Sequence, residues 1–116
     1  MDKVRIFHNP RCSKSRATLA LLEARGLQPE IVDYLDTPPG ADELSAILDR
    51  LGTGPRELMR RDEPEYLELG LDRPTLSRDE LVAAMVAHPR LIQRPIVLAN
   101  GKAALGRPPE AVLDIL

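Results

Sequence analysis

Two short β-rich runs flank one dense apolar run in the first 35 residues of the chain. The first, Lys3 to Phe7, stops at an Asn-Pro turn signal, and the second, Pro29 to Leu35, is bounded by turn-forming residues. Between them, Ser13 to Arg25 is too densely apolar for the alternation of a strand, and Gly26 marks a helix stop. A strand, a helix and a second strand with a crossover of this length predict a parallel strand pair and an α/β fold.

The middle of the chain, about residues 40–88, is predicted to be a helical insertion. Gly40 and Gly52 suit the N-cap and the stop of a first helix. Pro55 suits the first position of a short helix that runs to about Arg61. The apolar residues of the first of these helices recur at i, i+3, i+4 and i+7, namely Leu44, Ile47, Leu48 and Leu51.

A further helix in this insertion is predicted by its own start signal. Ser77 and Glu80 have the spacing of a capping box. The helix should run to about Ala87, because His88 precedes Pro89 and is pushed out of the α region.

The C-terminal part of the chain returns to β structure. Two runs, Ile96 to Ala99 and Lys102 to Leu105, are separated by Asn100-Gly101, a strong two-residue hairpin signal. Pro108-Pro109 then opens a last helix that runs through Ile115. We therefore expect a single domain over residues 1–116, with the order βαβ, helical insertion, ββα.

Composition argues against two classes of function. With 16 Lys and Arg against 18 Asp and Glu, the formal net charge is -2, so no broad positive field would hold a nucleic acid. Aromatic residues make up only 3% of the chain, too few for a platform that stacks bases. No apolar run approaches the ~20 residues of a membrane span, and the N-terminus lacks the pattern of a signal peptide. We expect no nucleic-acid partner, no membrane partner and a cytoplasmic location.

The chain has a single cysteine, Cys12, which lies between a predicted strand and a predicted helix start. There the thiol would face unpaired backbone N–H groups and the positive end of the helix dipole, with basic side chains nearby in sequence. All three favour the thiolate, so Cys12 is the candidate nucleophile. One cysteine cannot form an internal disulfide, and the sequence offers no Cys/His cluster with the spacing of metal ligands.

The residues after Cys12 exclude two other thiol chemistries. Ser15 stands where a dithiol oxidoreductase would carry its resolving cysteine, so an outside thiol such as glutathione must regenerate Cys12. Thr18 stands where the phosphate cradle of a tyrosine phosphatase would need an arginine, which rejects a phosphatase-like loop.

Several short blocks follow one another along the chain: His8-Asn9-Pro10-x-Cys12-x-x-Ser15-Arg16, Tyr34-Leu35 with Pro38-Pro39, Arg56-x-Leu58-x-Arg60, Leu69-Gly70-Leu71, His88-Pro89, Arg94-Pro95-Ile96-Val97 and Gly106-Arg107-Pro108-Pro109-Glu110. Together they resemble the ArsC family of glutathione- and glutaredoxin-dependent arsenate reductases, and within it the YfgD-like branch. The resemblance implies a thioredoxin-like fold and the reduction of arsenate to arsenite, with glutathione as co-substrate, glutaredoxin as partner and no bound cofactor or metal.

The same resemblance implies roles for individual residues. Cys12 would be the nucleophile, and Arg60, Arg94 and Arg107 would surround the bound oxyanion. Planar guanidinium groups suit this task because they form paired hydrogen bonds with tetrahedral oxyanions.

Three supporting residues are also expected near the thiolate. The resemblance implies that His8 supports the thiolate and that Pro95 is a cis-proline facing the active cysteine. From the residues alone, His8 could equally be a solvent-facing histidine at a strand end, and Ser15 could do no more than cap the helix.

Two other functions stay open at this stage. The first is a glutathione-linked thiol oxidoreductase that acts on another oxidised or anionic substrate. The second is a redox-sensing adaptor that binds RNA polymerase, although such adaptors usually depend on a Cys-x-x-Cys switch and Ser15 argues against one.

Overall fold

A computed structural model describes residues 4–116, which form two compact units. The first unit combines residues 4–37 with Arg94–Leu116, and the second is Pro38–Gln93. The predicted insertion, about residues 40–88, falls within the second unit. Because the first unit is made from both ends of the chain, residues far apart in sequence meet in it.

The first unit is a four-stranded mixed sheet with one α-helix. Its elements are β1 (Arg5–His8), α1 (Ser13–Ala24), β2 (Glu30–Asp33), β3 (Ile96–Ala99), β4 (Lys102–Leu105) and a 3-10 helix (Pro109–Ile115). The strand order is β2-β1-β3-β4, with β1 parallel to β2 and antiparallel to β3. This arrangement, with the predicted order of elements, is a thioredoxin-like α/β fold.

The core of this unit lies where α1 and the C-terminal 3-10 helix pack onto the sheet. Aliphatic side chains from α1, the sheet and the 3-10 helix are buried there, namely Ile6, Leu22, Val97, Ala99, Val112 and Ile115. Burial of such side chains contributes roughly 1.5–3 kcal/mol each relative to exposure, which fixes the helix on the sheet. The end of β1 and the start of α1 are thereby held in place.

The second unit is helical. Its elements are α2 (Ala41–Leu51), α3 (Pro55–Leu58), α4 (Pro64–Glu68), α5 (Arg78–Ala87) and a 3-10 turn (Pro89–Leu91). Helix α5 packs against α2, α3 and the 3-10 turn. An isolated bridge between Met59 and Ile92 joins the end of α3 to the segment after the turn.

The predicted start and stop signals of this unit are confirmed. Gly40 is the N-cap of α2, and Gly52 ends the helix in the left-handed conformation with φ of 70°. Ser77 and Glu80 form the full capping box at the start of α5, and His88 lies outside the helix. The Asn100-Gly101 hairpin between β3 and β4 is also present.

Several predicted boundaries were wrong. The first strand extends to His8 because His8 pairs with Asp33 of β2, while Lys3 lies outside the described residues. The helix at Pro55 ends at Leu58 rather than near Arg61, since the next residue is extended and pairs with another segment.

Three other features of the helical segments differ from the expectation. Helix α4 was not predicted, although Pro64 at its first position is a start signal. Pro89–Leu91 forms an additional 3-10 turn, and the last helix is 3-10 throughout. Among residues 4–116, no helix has the length and apolar character that a membrane span requires.

Candidate active site

Cys12 occupies the N-cap position of α1. Its backbone is extended, with φ of -96° and ψ of 123°, so the chain turns into the helix at this residue. Its N–H donates to the carbonyl of Asn9 at 3.0 Å, and its carbonyl accepts from the N–H of Arg16 at 3.0 Å. The residue is 8% exposed, so the thiol lies just beneath the surface at the first turn of the helix.

Five contributions act on the ionisation of this thiol, and their sum lowers the pKa of Cys12. Burial is the largest effect and raises the pKa, because it disfavours the charged thiolate. Hydrogen bonds from the backbone N–H groups of Ser15 and Lys14 lower it, as do the positive charge of Arg94 and a side-chain hydrogen bond from that residue. The helix end and one arginine together outweigh the cost of burial.

Arg94 lies two residues before the start of β3, and its peptide bond to Pro95 is cis, as the family resemblance implied. The Nε and Nη1 atoms of Arg94 are buried and have no hydrogen-bond partner among residues 4–116. The carbonyl of Arg94 accepts a hydrogen bond from Nε of Arg107 at 2.9 Å. Two of the three expected arginines are therefore neighbours, and one of them contacts the thiol.

Arg60 belongs to the helical unit, where its partners are acidic. Its guanidinium is paired with the carboxylate of Glu63 and lies 3.7 Å from that of Asp62. Glu63 also bonds to Arg90 at 3.1 Å. The expected role of Arg60 as a third oxyanion ligand stays a prediction.

His8 and Ser15 form a buried polar pair beneath the Cys12 loop. Ser15 Oγ lies 2.6 Å from Nδ1 of His8 and accepts a hydrogen bond from the N–H of Asn9 at 3.0 Å. Burial lowers the pKa of His8; the charge of Asp33 raises it and that of Arg16 lowers it, with a net decrease. The lowered pKa favours the neutral ring, and its tautomer decides which of Ser15 Oγ and His8 Nδ1 donates in the bond between them.

This arrangement corrects one expectation about Ser15. Ser15 does not cap α1, because Cys12 holds the N-cap position and the helix has no side-chain cap. The serine instead connects the end of β1 to the first turn of α1. His8 is buried at the sheet end and is not a solvent-facing residue.

The sequence model of the ArsC family matches residues 7–115. The chain belongs to the ArsC family. It is 56% identical over 117 residues to a protein of Neisseria meningitidis named arsenate reductase, with all of both chains covered. It is 55% identical over 115 residues to the uncharacterized protein YfgD of Escherichia coli, covering 98% of this chain and 97% of the other.

Solved structures of the ArsC family have the same fold. A structure described as arsenate reductase from Vibrio cholerae superimposes with a TM-score of 0.96 at 53% identity, covering 98% of each chain. The thioredoxin-like arrangement around Cys12 is thus that of a close relative.

An open cleft lies beside the Cys12 loop of this ArsC protein. It has a volume of about 320 Å³, and its lining residues come from the loop and from the end of β2, namely Asn9, Pro10, Arg11, Asp33, Leu35 and Asp36. Within residues 4–116, no group of three or more His, Cys, Asp and Glu side chains is arranged to bind a metal ion.

Sequence reasoning missed how the ArsC site is held together. The backbone N–H groups of Lys14 and Ser15 were foreseeable from the helix start after Cys12. The bond between His8 and Ser15 was not, because it depends on how the end of β1 packs under the first turn of α1.

Proposed function

We propose that this ArsC family protein is an arsenate reductase that uses the Cys12 thiolate as its nucleophile and an external thiol as its reductant. The observation that carries the proposal is the guanidinium of Arg94. It contacts the thiol, and its buried Nε and Nη1 have no partner among residues 4–116. Buried donors without partners are costly, and an oxyanion would satisfy them.

In the first step, the Cys12 thiolate attacks the arsenic of arsenate, and an S–As bond forms as one oxygen leaves as water or hydroxide. The remaining negative oxygens are stabilised by Arg94 and Arg107, with Arg60 proposed as the third arginine. The cationic donors stabilise the charge that develops on the oxyanion.

In the second step, the thiolate of glutathione attacks the sulfur of Cys12. The S–As bond breaks and its electron pair passes to arsenic, which is reduced from the pentavalent to the trivalent state and leaves as arsenite. Cys12 is left in a mixed disulfide with glutathione, and glutaredoxin removes the glutathione by thiol–disulfide exchange. The chain has one cysteine, so it cannot complete this step itself.

Two further considerations support this proposal. Relatives at 50% identity or more, from Neisseria meningitidis and Haemophilus influenzae, carry the name arsenate reductase. A thiol regenerated by glutathione requires a compartment that keeps thiols reduced, which favours the cytoplasm.

The proposal is tested by a coupled assay that follows NADPH oxidation with arsenate, glutathione, glutaredoxin and glutathione reductase. Arsenate-dependent oxidation is expected with the complete mixture, and no reaction is expected when glutathione or glutaredoxin is omitted. Equal rates with thioredoxin as the sole reductant would contradict the external-thiol step. No arsenite from the complete mixture would contradict the proposed substrate.

A further inference from the structure

Gly106 lies between β4 and Arg107 at a point where there is no room for a side chain. A Cβ added to this residue would lie 2.6 Å from Cγ of Pro95 and closer still to Oγ1 of Thr18. Real Cβ atoms essentially never come within 3.0 Å of another residue in this way. The backbone of Gly106 is not in the left-handed region, so the requirement for glycine is one of space alone.

Each residue at this contact is attached to a different part of the candidate site. Thr18 is fully buried, and its hydroxyl donates to the carbonyl of Lys14 at 2.8 Å. Lys14 and Ser15 supply the backbone N–H groups that stabilise the thiolate. Thr18 is therefore bonded to the same turn of α1 that stabilises the thiolate of Cys12.

On the other side of this contact, Gly106 and Pro95 are the chain neighbours of Arg107 and Arg94. The N–H of Gly106 donates to the carbonyl of Pro95 at 2.9 Å, so the segment after β4 is bonded to the segment before β3. Arg94 precedes Pro95 and Arg107 follows Gly106, and these two arginines are bonded to each other. A displacement at Gly106 would be transmitted to both.

We infer that the contact between Thr18 and Gly106 is a positioning contact that sets the distance between the thiolate on α1 and the oxyanion-binding arginines Arg94 and Arg107. This inference rests on the proposed function, because it assigns these arginines to an oxyanion. Thr18 and Gly106 act through other residues and do not themselves touch the substrate.

The first test replaces Gly106 with alanine and uses Gly40→Ala as its matched control. Gly40 has negative φ and nothing within 4 Å of an added Cβ, so the same chemical change there meets no neighbour. Two quantities are measured without any turnover: the pKa of Cys12 from iodoacetamide alkylation against pH, and the sulfate concentration that halves the alkylation rate.

Gly106→Ala is expected to raise the thiol pKa and to raise the half-protecting sulfate concentration by about tenfold to about 10²-fold, because displacement of a binding group by about 1 Å can cost that much. Gly40→Ala should match the wild type in both quantities. A folded Gly106→Ala protein with wild-type pKa and wild-type sulfate protection would overturn the inference.

A second pair of variants decides the matter if Gly106→Ala does not fold. Thr18→Ser keeps the hydroxyl and its bond to Lys14 but loses a buried methyl group, so it should lower the melting temperature and leave the thiol pKa and sulfate protection unchanged. Thr18→Val keeps the volume, removes that bond and places a methyl group beside Gly106. It should raise the pKa and weaken sulfate protection. The reverse pattern, or no difference between the two variants in pKa and protection, would overturn the inference.

These measurements separate the inference from the proposed function. If the wild type forms no arsenite but the variants shift the pKa and sulfate protection as expected, the positioning contact stands and the substrate is wrong. If the wild type reduces arsenate and Gly106→Ala behaves as wild type in all assays, the substrate stands and the positioning contact falls.

Discussion

Two clusters of charged groups in this protein are built in opposite ways. Beside Cys12, the guanidinium of Arg94 is buried with two nitrogen atoms that have no partner among residues 4–116. In the helical unit, the guanidinium of Arg60 is paired with Glu63, and Glu63 also holds Arg90. Beside Cys12 an anion could accept from two donors that are free, whereas at Arg60 it would compete with the carboxylate of Glu63. The contrast supports the proposal that an oxyanion binds beside Cys12, where it would satisfy two buried donors of Arg94.

The largest effect is expected from removing the thiol of Cys12. Cys12→Ser should lower turnover by more than about 10³-fold, since a serine hydroxyl has no accessible anion at neutral pH and loss of a nucleophile is among the costliest changes. The coupled NADPH assay measures it, with circular dichroism as a control for folding. Substantial turnover by this variant would contradict the proposal that Cys12 is the nucleophile.

The next largest effect is expected from replacing an arginine by lysine, which keeps the positive charge and changes the shape of the cationic group. Arg94→Lys keeps the positive charge but loses the planar pair of donors, so kcat/KM for arsenate should fall by roughly 10- to 100-fold. Arg107→Lys should also impair activity, because its Nε bonds to the carbonyl of Arg94. Wild-type kinetics in both lysine variants would show that net charge alone matters.

The depressed pKa of Cys12 links the same cluster to folding stability. A thiol with a folded pKa below its unfolded value of about 8.5 contributes stability that is fully present above that value and is lost as pH falls through the folded pKa. The difference in unfolding free energy between wild type and Cys12→Ser should therefore grow in favour of the wild type as pH rises through this window. Urea denaturation at several pH values measures it, and a pH-independent difference would contradict the depressed pKa. Arg94→Ala should raise the pKa of Cys12 in the folded protein, so the pH range over which this stability difference changes should become narrower.

A smaller effect is expected at the buried pair beneath the loop. Ser15→Ala leaves the N–H of Asn9 and Nδ1 of His8 without their partner, which should lower the free energy of unfolding by about 1–3 kcal/mol. Ser13→Ala is the matched control, because Ser13 is exposed at the first residue of the same helix. Thermal or urea unfolding compares the two, and equal small losses would mean that the buried bond adds nothing.

The smallest effect is expected in the paired cluster. Glu63→Gln removes the charge between Arg60 and Arg90, and the unfolding free energy should fall by about 1 kcal/mol because the pairs are only partly shielded from water. Asp62→Asn is the comparison variant, since that carboxylate is exposed and lies 3.7 Å from Arg60. Added salt should reduce the loss for Glu63→Gln, and a loss that ignores salt would contradict its electrostatic origin.

Local signals predicted most of the fold. The Asn100-Gly101 hairpin, the glycine stops and the capping box depend on the preferences of a few adjacent residues, so they can be read along the chain. Pro64 is a local start signal for α4, but neither the length of that helix nor the 3-10 form of the last helix could be read in this way, because short helices depend on tertiary packing more than on propensity. The bridge between Met59 and Ile92 joins residues far apart in sequence, and no local pattern marks it.

In the candidate site, too, some residues could be predicted from local sequence and others could not. Cys12 could be found from its place before a helix start, whereas the arginines came from a family resemblance and not from any spacing. The bond between His8 and Ser15 and the contact between Thr18 and Gly106 involve ordinary residues whose partners are set by packing. These residues give no signal in the sequence until the sheet brings their neighbours together.

The sheet register also determines when the site comes into being as the chain is made. Strand β1 pairs with β3, so that Ile6 lies opposite Val97, and the whole helical unit is encoded between them. At about 5–20 residues per second of synthesis, Cys12 is made seconds before Arg94. During that interval the chain lacks Arg94, whose charge and side-chain hydrogen bond help to lower the pKa of Cys12. The positive charge that lowers the pKa of Cys12 therefore reaches the thiol only after the helical unit has been synthesised.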